Sequence, residues 1–314
     1  ITKDPPRQRA LRTLMSGNLT PRYLKGFQEA LDGFCRDLLD RASDGAPFDF
    51  VDSIAAQLPL YVAAALLGVC EVDIPRMKSW VAALEDLTKV NSAADLEEPG
   101  QRFDELKRFL RDQLERKRRT PGNDLISSFL ASSLDGSPTP DPVVLAHVAT
   151  LMSNGGTTRL LLSSIAGLLA SHPDQMELSR ADPGLLDGVI EECLRLMPPA
   201  RGFVRTATTD VELAGVPVRA GQRVYMLYPA ANRDPEHFTS PDSFEAGRPQ
   251  AYGHASFGFG AHFCLGAGLA RMEAKALFSE LISRYGSIRL AGAPTRYEHV
   301  QLNGWATLPV TLHR

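Results

Sequence analysis

The sequence predicts a mainly α chain with a small β component, and three observations carry that reading. From Pro21 to Arg180 apolar residues return every three or four positions, the repeat of one face of an α-helix. After Pro198-Pro199 the repeat shortens to alternation in Val211 to Leu213, Val216 to Val218 and Arg223 to Leu227, which predicts a small antiparallel sheet. Across 314 residues, 44% hydrophobic, 23% charged and 7% aromatic content suits a globular chain with a sizeable core and excludes disordered, collagen-like and small disulfide-stapled classes.

Within the helical half, Phe103, Leu106, Leu110 and Leu114 mark the apolar stripe of one strongly charged helix. Breaks are expected at Asp44-Gly45-Ala46-Pro47, Pro99-Gly100, Thr120-Pro121-Gly122 and Asp135-Gly136-Ser137-Pro138, because these residues favour turns through their backbone preferences. The basic run Arg116 to Arg119 reads as a solvated helix C-terminus that complements the dipole. A long irregular segment is expected from Asn232 to Phe263, then a last helix from about Gly266 to Tyr285. Loops of that length inside a compact domain are usually functional. No internal repeat, low-complexity tract or linker divides the chain, so residues 1–314 are read as one domain.

The net charge of −3, from 34 Lys+Arg against 37 Asp+Glu, gives no global basic field to hold nucleic acid or an anionic membrane surface. Small molecules and other proteins are the expected partners. Cys35, Cys70, Cys193 and Cys264 are too scattered for a disulfide framework or a zinc site, and a reducing cytoplasm is the expected location. The apolar stretches Leu58 to Val69 and Leu160 to Ala170 fall short of the ~20 residues that span a bilayer, so no membrane crossing is expected.

The chemistry concentrates in Phe257-Gly258-Phe259-Gly260-Ala261-His262-Phe263-Cys264-Leu265-Gly266. Its glycines allow tight backbone turns and close approach to a flat ligand. Cys264 precedes a helix, where unpaired N–H groups and the dipole stabilise a thiolate. Three roles compete for it: a small buried hydrophobe, a nucleophile, and an axial ligand to haem iron. The first leaves the surrounding glycines and histidine unexplained. The second lacks a well-placed base, since His262 lies only two residues away. The third suits an anionic sulfur in a protected loop and is favoured.

The segment resembles the haem-binding signature of the cytochrome P450 family, F-x-x-G-x-H/R-x-C-x-G, at Phe257, Gly260, His262, Cys264 and Gly266. A second family motif, E-x-x-R, stands at Glu192-Cys193-Leu194-Arg195, with Arg248 where the family's third network member is expected. The stretch Ala230 to Pro235 followed by Phe238 is also similar to the family, especially its bacterial members. The resemblance implies a cytochrome P450 fold, haem b (iron protoporphyrin IX) ligated by Cys264, and propionate contacts from Arg12, Arg205 and His262, with Gln8 where many members place histidine. It further implies a monooxygenase acting on a small organic molecule in bacterial specialised metabolism. NAD(P)H and O2 would be cosubstrates, with electrons delivered by a ferredoxin-type redox partner.

Two departures from the family pattern stand out. Where the family carries A/G-G-x-D/E-T over the distal haem face, this chain has Ser153-Asn154-Gly155-Gly156-Thr157. Thr157 matches the oxygen-handling threonine, whereas Gly156 replaces the acid that relays protons, leaving Asn154, water or groups on the substrate for that task. Paired glycines weaken a helix by ~1 kcal/mol each relative to alanine, so local opening or a close backbone approach to a ligand is expected there. The chain also starts at what resembles the family's third major helix, so further upstream residues or a covering partner are expected. The resemblance further implies that substrate lies against Met152, Gly155, Ala200, Arg201, Phe203, Asn303 and Trp305. Two rival functions follow from the departures: a P450-fold oxidase or peroxygenase with atypical chemistry, and a haem-binding accessory protein with little catalysis.

Overall fold

A computed structural model describes residues 3–17, 19–42, 44–70, 73–86, 97–249 and 251–314. The first half runs α1 (Arg7–Ser16), α2 (Pro21–Lys25), α3 (Gln28–Asp40), β1 (Phe48–Asp49), a π-helical turn (Val51–Ala55), α4 (Gln57–Leu67), α5 (Ile74–Asp86), α6 (Glu97–Arg119) and α7 (Leu125–Ala131). The hairpin β2 (Ser133–Leu134) and β3 (Ser137–Pro138) then leads into α8 (Asp141–Ser171). After it come α9 (Pro173–Ala181), α10 (Leu186–Leu196), β4 (Gly202–Thr206), β5 (Val211–Leu213), β6 (Val216–Val218), β7 (Arg223–Leu227) and α11 (Tyr228–Ala231). The last elements are α12 (Ala267–Arg284), β8 (Ser287–Leu290), β9 (Thr295–Arg296), β10 (Trp305–Thr307) and β11 (Pro309–His313).

Helix α8, 31 residues long and so about 46 Å from end to end, is the axis of the molecule. Helices α4, α5, α6, α7 and α10 and strand β8 all pack against it. Its middle is buried on nearly every side through Leu160, Leu161, Leu162, Ile165, Ala166 and Leu169, which is why it shows no clear polar face. Helix α6 is the opposite case. Glu97 and Glu98 open it, Arg116 to Arg119 close it in the sense the dipole favours, and Leu106, Phe109, Leu110 and Leu114 form its buried stripe.

The break expected at Pro99-Gly100 is absent, because both residues lie in the first turn of α6. First-turn N–H groups have no acceptor within the helix, so proline removes nothing there. Asp135-Gly136 is the turn of the β2–β3 hairpin, with φ of 55° and 80°, the left-handed pair that a two-residue hairpin requires. The sheets are small and antiparallel: β1, β11 and β8 form one of three strands, while β4 pairs with β7, β5 with β6 and β9 with β10.

Between α11 and α12 the chain is irregular apart from short 3-10 turns at Ala251–Gly253 and Gly260–His262. What shapes it is a set of side chains from α10 and from the segment itself. Arg195 donates to the carbonyls of Asn232, Pro241 and Ser243 at 2.9, 2.5 and 3.0 Å. Arg248 donates to the carbonyls of Thr239, Ser240 and Ser243. Asn232 donates to the Arg195 carbonyl at 3.0 Å and accepts from the Ala255 amide at 2.6 Å. Buried carbonyls that no helix or sheet satisfies find their donors here.

Candidate active site

Cys264 ends the irregular segment two residues before Gly266, the N-cap of α12. Gly258 and Gly260 hold φ of 69° and 67°, a left-handed backbone that side chains resist, and the Cys264 amide closes the loop on the Phe257 carbonyl at 2.8 Å. Further hydrogen bonds fix the loop to α1. Gln8 Nε2 donates to the Ala261 carbonyl at 2.6 Å, and Arg12 donates to the Phe263 carbonyl at 2.7 Å.

The cysteine opens into a cavity of about 490 Å³. Surrounding protein pushes its thiol above the ordinary range, opposed by the amides of Gly266 and Ala267 and by the charges of Arg12 and Arg271. That opposition comes from donors and cations ready to hold a sulfur anion once a positive metal replaces the proton. Gly155, Thr157, Thr158 and Leu161 of α8 line the same cavity, as do Ala200, Phe203 and Arg205. Gln8, Arg12, Phe257, His262 and Gly266 also reach it. The donor set therefore fits a haem: one sulfur ligand, cations at Arg12 and Arg205 for two carboxylates, and largely apolar walls.

Other expected residues lie elsewhere. Met152 is buried in the core, and the side chain of Asn154 lies outside the described residues. Arg201 donates to the Leu302 carbonyl at 3.1 Å, and Asn303 to that of Pro198 at 3.3 Å. Trp305 packs beside Gly167 of α8, with the Arg296 guanidinium 4.3 Å over its ring and its indole nitrogen without a hydrogen-bond partner. None of these four described side chains lines the cavity. Glu192, Arg195 and Arg248 do come together, with Arg248 Nε 2.7 Å from Glu192 Oε1.

Local sequence carried no signal for several residues around the site. Glu191 binds Arg271 at 2.6 and 2.8 Å and His254 at 3.1 Å, joining α10, α12 and the irregular segment, and Arg271 stacks 4.5 Å over Phe257. Glu273 of α12 is wholly buried at the cavity wall, and burial raises its carboxyl to about 8. At Gly155-Gly156 helix α8 runs unbroken, so the opening considered for this pair is absent, and what lies close to the two glycines is protein. Gly155 packs on Pro59, while Gly156 packs on the carboxyl of Glu85 from α5.

A mainly helical fold with a loop cysteine facing a central helix across one cavity defines a class of haem–thiolate architecture, and comparison with known proteins agrees. The Cytochrome P450 family profile matches residues 1–292. The chain is 34% identical to the erythromycin C-12 hydroxylase of Saccharopolyspora erythraea, over 98% of this chain and 78% of that one. It is 32% identical to the biotin biosynthesis cytochrome P450 of Bacillus subtilis strain 168, over 99% and 79%. The crystal structure of P450BioI in complex with hexadec-9Z-enoic acid ligated acyl carrier protein superposes with a TM-score of 0.93 at 32% identity, covering 99% of this chain and 81% of that one. The chain belongs to the cytochrome P450 family and is a monooxygenase of that family. Among the described residues no helix is long and apolar enough to cross a membrane.

Proposed function

We propose that residues 1–314 act as one haem domain that oxygenates a small, largely apolar organic molecule, with Cys264 as the iron ligand. The observation that carries this reading is that Cys264 and Thr157, 107 positions apart in sequence, line one cavity from opposite elements. Arg12 and Arg205, with His262 at the rim, would hold the propionates as charge-assisted partners. Gln8 keeps the second N–H of its amide for the same carboxylates while its first holds the loop. Bound here, the haem supplies thiolate-assisted activation of dioxygen, with reducing equivalents from NAD(P)H through a ferredoxin-type protein.

The chain's own residues orient the substrate and manage protons. Gly155, Ala200 and Phe203 wall the substrate space, and the Thr157 hydroxyl faces it as a proton-handling group. Met152, Arg201, Asn303 and Trp305, expected at this wall, do not line the cavity. The names of the erythromycin and biotin relatives support a biosynthetic oxidation in specialised metabolism. The test is spectroscopic: the purified protein, reduced and exposed to carbon monoxide, should show the strongly red-shifted band of a haem–thiolate, and Cys264→Ser should abolish it. A Cys264→Ser protein that keeps the band would refute the ligand assignment.

A further inference from the structure

We infer that Glu85 of α5 supplies the proton-carrying carboxylate that Gly156 lacks, reaching across from another helix. This rests on the haem–thiolate reading above and extends it to the proton path. A Cβ built on Gly156 would collide with Glu85 Oε1 and lie 3.3 Å from its Cδ. The carboxyl group therefore occupies the space that an acid growing from position 156 would fill first. Glycine at 156 is what admits it.

Two side chains hold this carboxylate in place. Arg159, on the next turn of α8, donates to its two oxygens at 3.4 and 3.1 Å, and the Tyr297 hydroxyl donates to Oε2. The Arg159 guanidinium in turn lies 4.9 Å over the Tyr297 ring. The Glu85 and Arg159 side chains keep only 15% and 18% of their surface in solvent, so the group is positioned rather than swinging freely.

A second cavity of about 290 Å³ leads to the carboxylate past Asp52, Lys78 and Asp86. Gly155 lines both this cavity and the one containing Cys264, and Thr157 follows two residues later on the Cys264 side. Neither Gly155 nor Gly156 has a side chain to stand between the two spaces at this point. A proton from bulk solvent, relayed along water in the second cavity, is taken up by Glu85, and Glu85 passes it through water beside Gly155 to the Thr157 hydroxyl. The carboxylate is regenerated in each cycle, with no net change in its charge. Glu85 acts through Thr157 and is a positioning residue of the proton path.

A simple ion pair between α5 and α8 would show the same hydrogen bonds, so the test separates proton supply from packing. With dioxygen alone as the probe, the haem-loaded enzyme, NADH and a surrogate ferredoxin and reductase give an oxygen-dependent rate of NADH consumption. Glu85→Gln, which preserves the shape of the side chain, should lower that rate about tenfold or more and enlarge its solvent deuterium isotope effect. Moving the acid back to α8 in Glu85→Ala/Gly156→Glu should restore both, even if Glu85→Gln proves unable to hold haem. A second readout needs no turnover: Gly156→Ala should lower the thermal midpoint of the parent but not of Glu85→Ala, where the collision is gone. A smaller fall in rate, an unrestored double variant, or equal destabilisation by Gly156→Ala in both backgrounds overturns the inference. A parent without the haem–thiolate band overturns the underlying reading instead.

Discussion

Glu192 and Arg195, one helical turn apart on α10, hold each other through two parallel hydrogen bonds of 2.7 and 2.8 Å while both side chains are fully buried. Fork-to-fork pairing satisfies both carboxylate oxygens, and the remaining guanidinium protons go to the carbonyls of the irregular segment. Neither partner has access to water if the other is removed. Alanine at either position should therefore cost about 3–5 kcal/mol, measured by chemical unfolding, with a parallel loss of soluble yield. Arg195→Lys should be nearly as damaging, since an ammonium cannot form the fork. Wild-type stability in the alanine variants would show that the pair contributes nothing.

Glu191, the neighbouring residue, predicts an acid-side dependence. Burial alone would raise its carboxyl, but hydrogen bonds from Arg271 and His254 outweigh burial and hold it below the ordinary range. Its contribution to stability is complete above the unfolded glutamate value of about 4.3 and is lost as pH falls through the lower folded value. Glu191→Gln should reduce stability at neutral pH by about 1–3 kcal/mol and flatten the acid limb of a pH–stability curve. An acid limb identical to that of the parent would exclude Glu191 as its source.

Glu273 predicts the opposite sign, over a window that reaches just past neutral pH. Burial raises its carboxyl from 4.5 to about 8 in the folded protein, so the folded state keeps a proton that the unfolded chain has released. Stability then falls as pH rises between those two values, by about 1.4 kcal/mol per pH unit, and levels off above the folded value. Glu273→Gln carries no titrating proton and should remove this slope. Denaturant unfolding of the haem-loaded parent and variant across that pH window provides the comparison, and equal slopes would rule out a neutral buried Glu273.

How much of this was legible in the sequence depends on how far apart the interacting residues lie. The loop around Cys264 could be read directly, because Phe257, Gly260, His262, Cys264 and Gly266 all fall within residues 257–266 and each acts through local conformation. Helix α6 was readable for the same reason, its stripe and terminal charges all being local, except that a proline in the first turn imitates a break. Strands β1 and β11 were not readable. They pair across some 260 residues in pieces of two and five residues, too short for an alternation to register. Glu85 lies 71 positions from Gly156, so the missing acid was visible while its neighbour from α5 was not. The expected wall residues Arg201, Asn303 and Trp305 lie in segments near the cavity, but a sequence position does not say which way the side chain turns.

The way Arg195 and Arg248 grip the irregular segment has a consequence for its evolution. Nearly every bond they make to it ends on a backbone carbonyl, at Asn232, Thr239, Ser240, Pro241 and Ser243. A carbonyl is supplied by any amino acid. The path of the chain up to the cysteine loop is thus encoded in two arginines and the glutamate between them, and much of the intervening text is free to drift. Substitutions in that stretch can remodel the outer surface while the sulfur of Cys264 keeps its place.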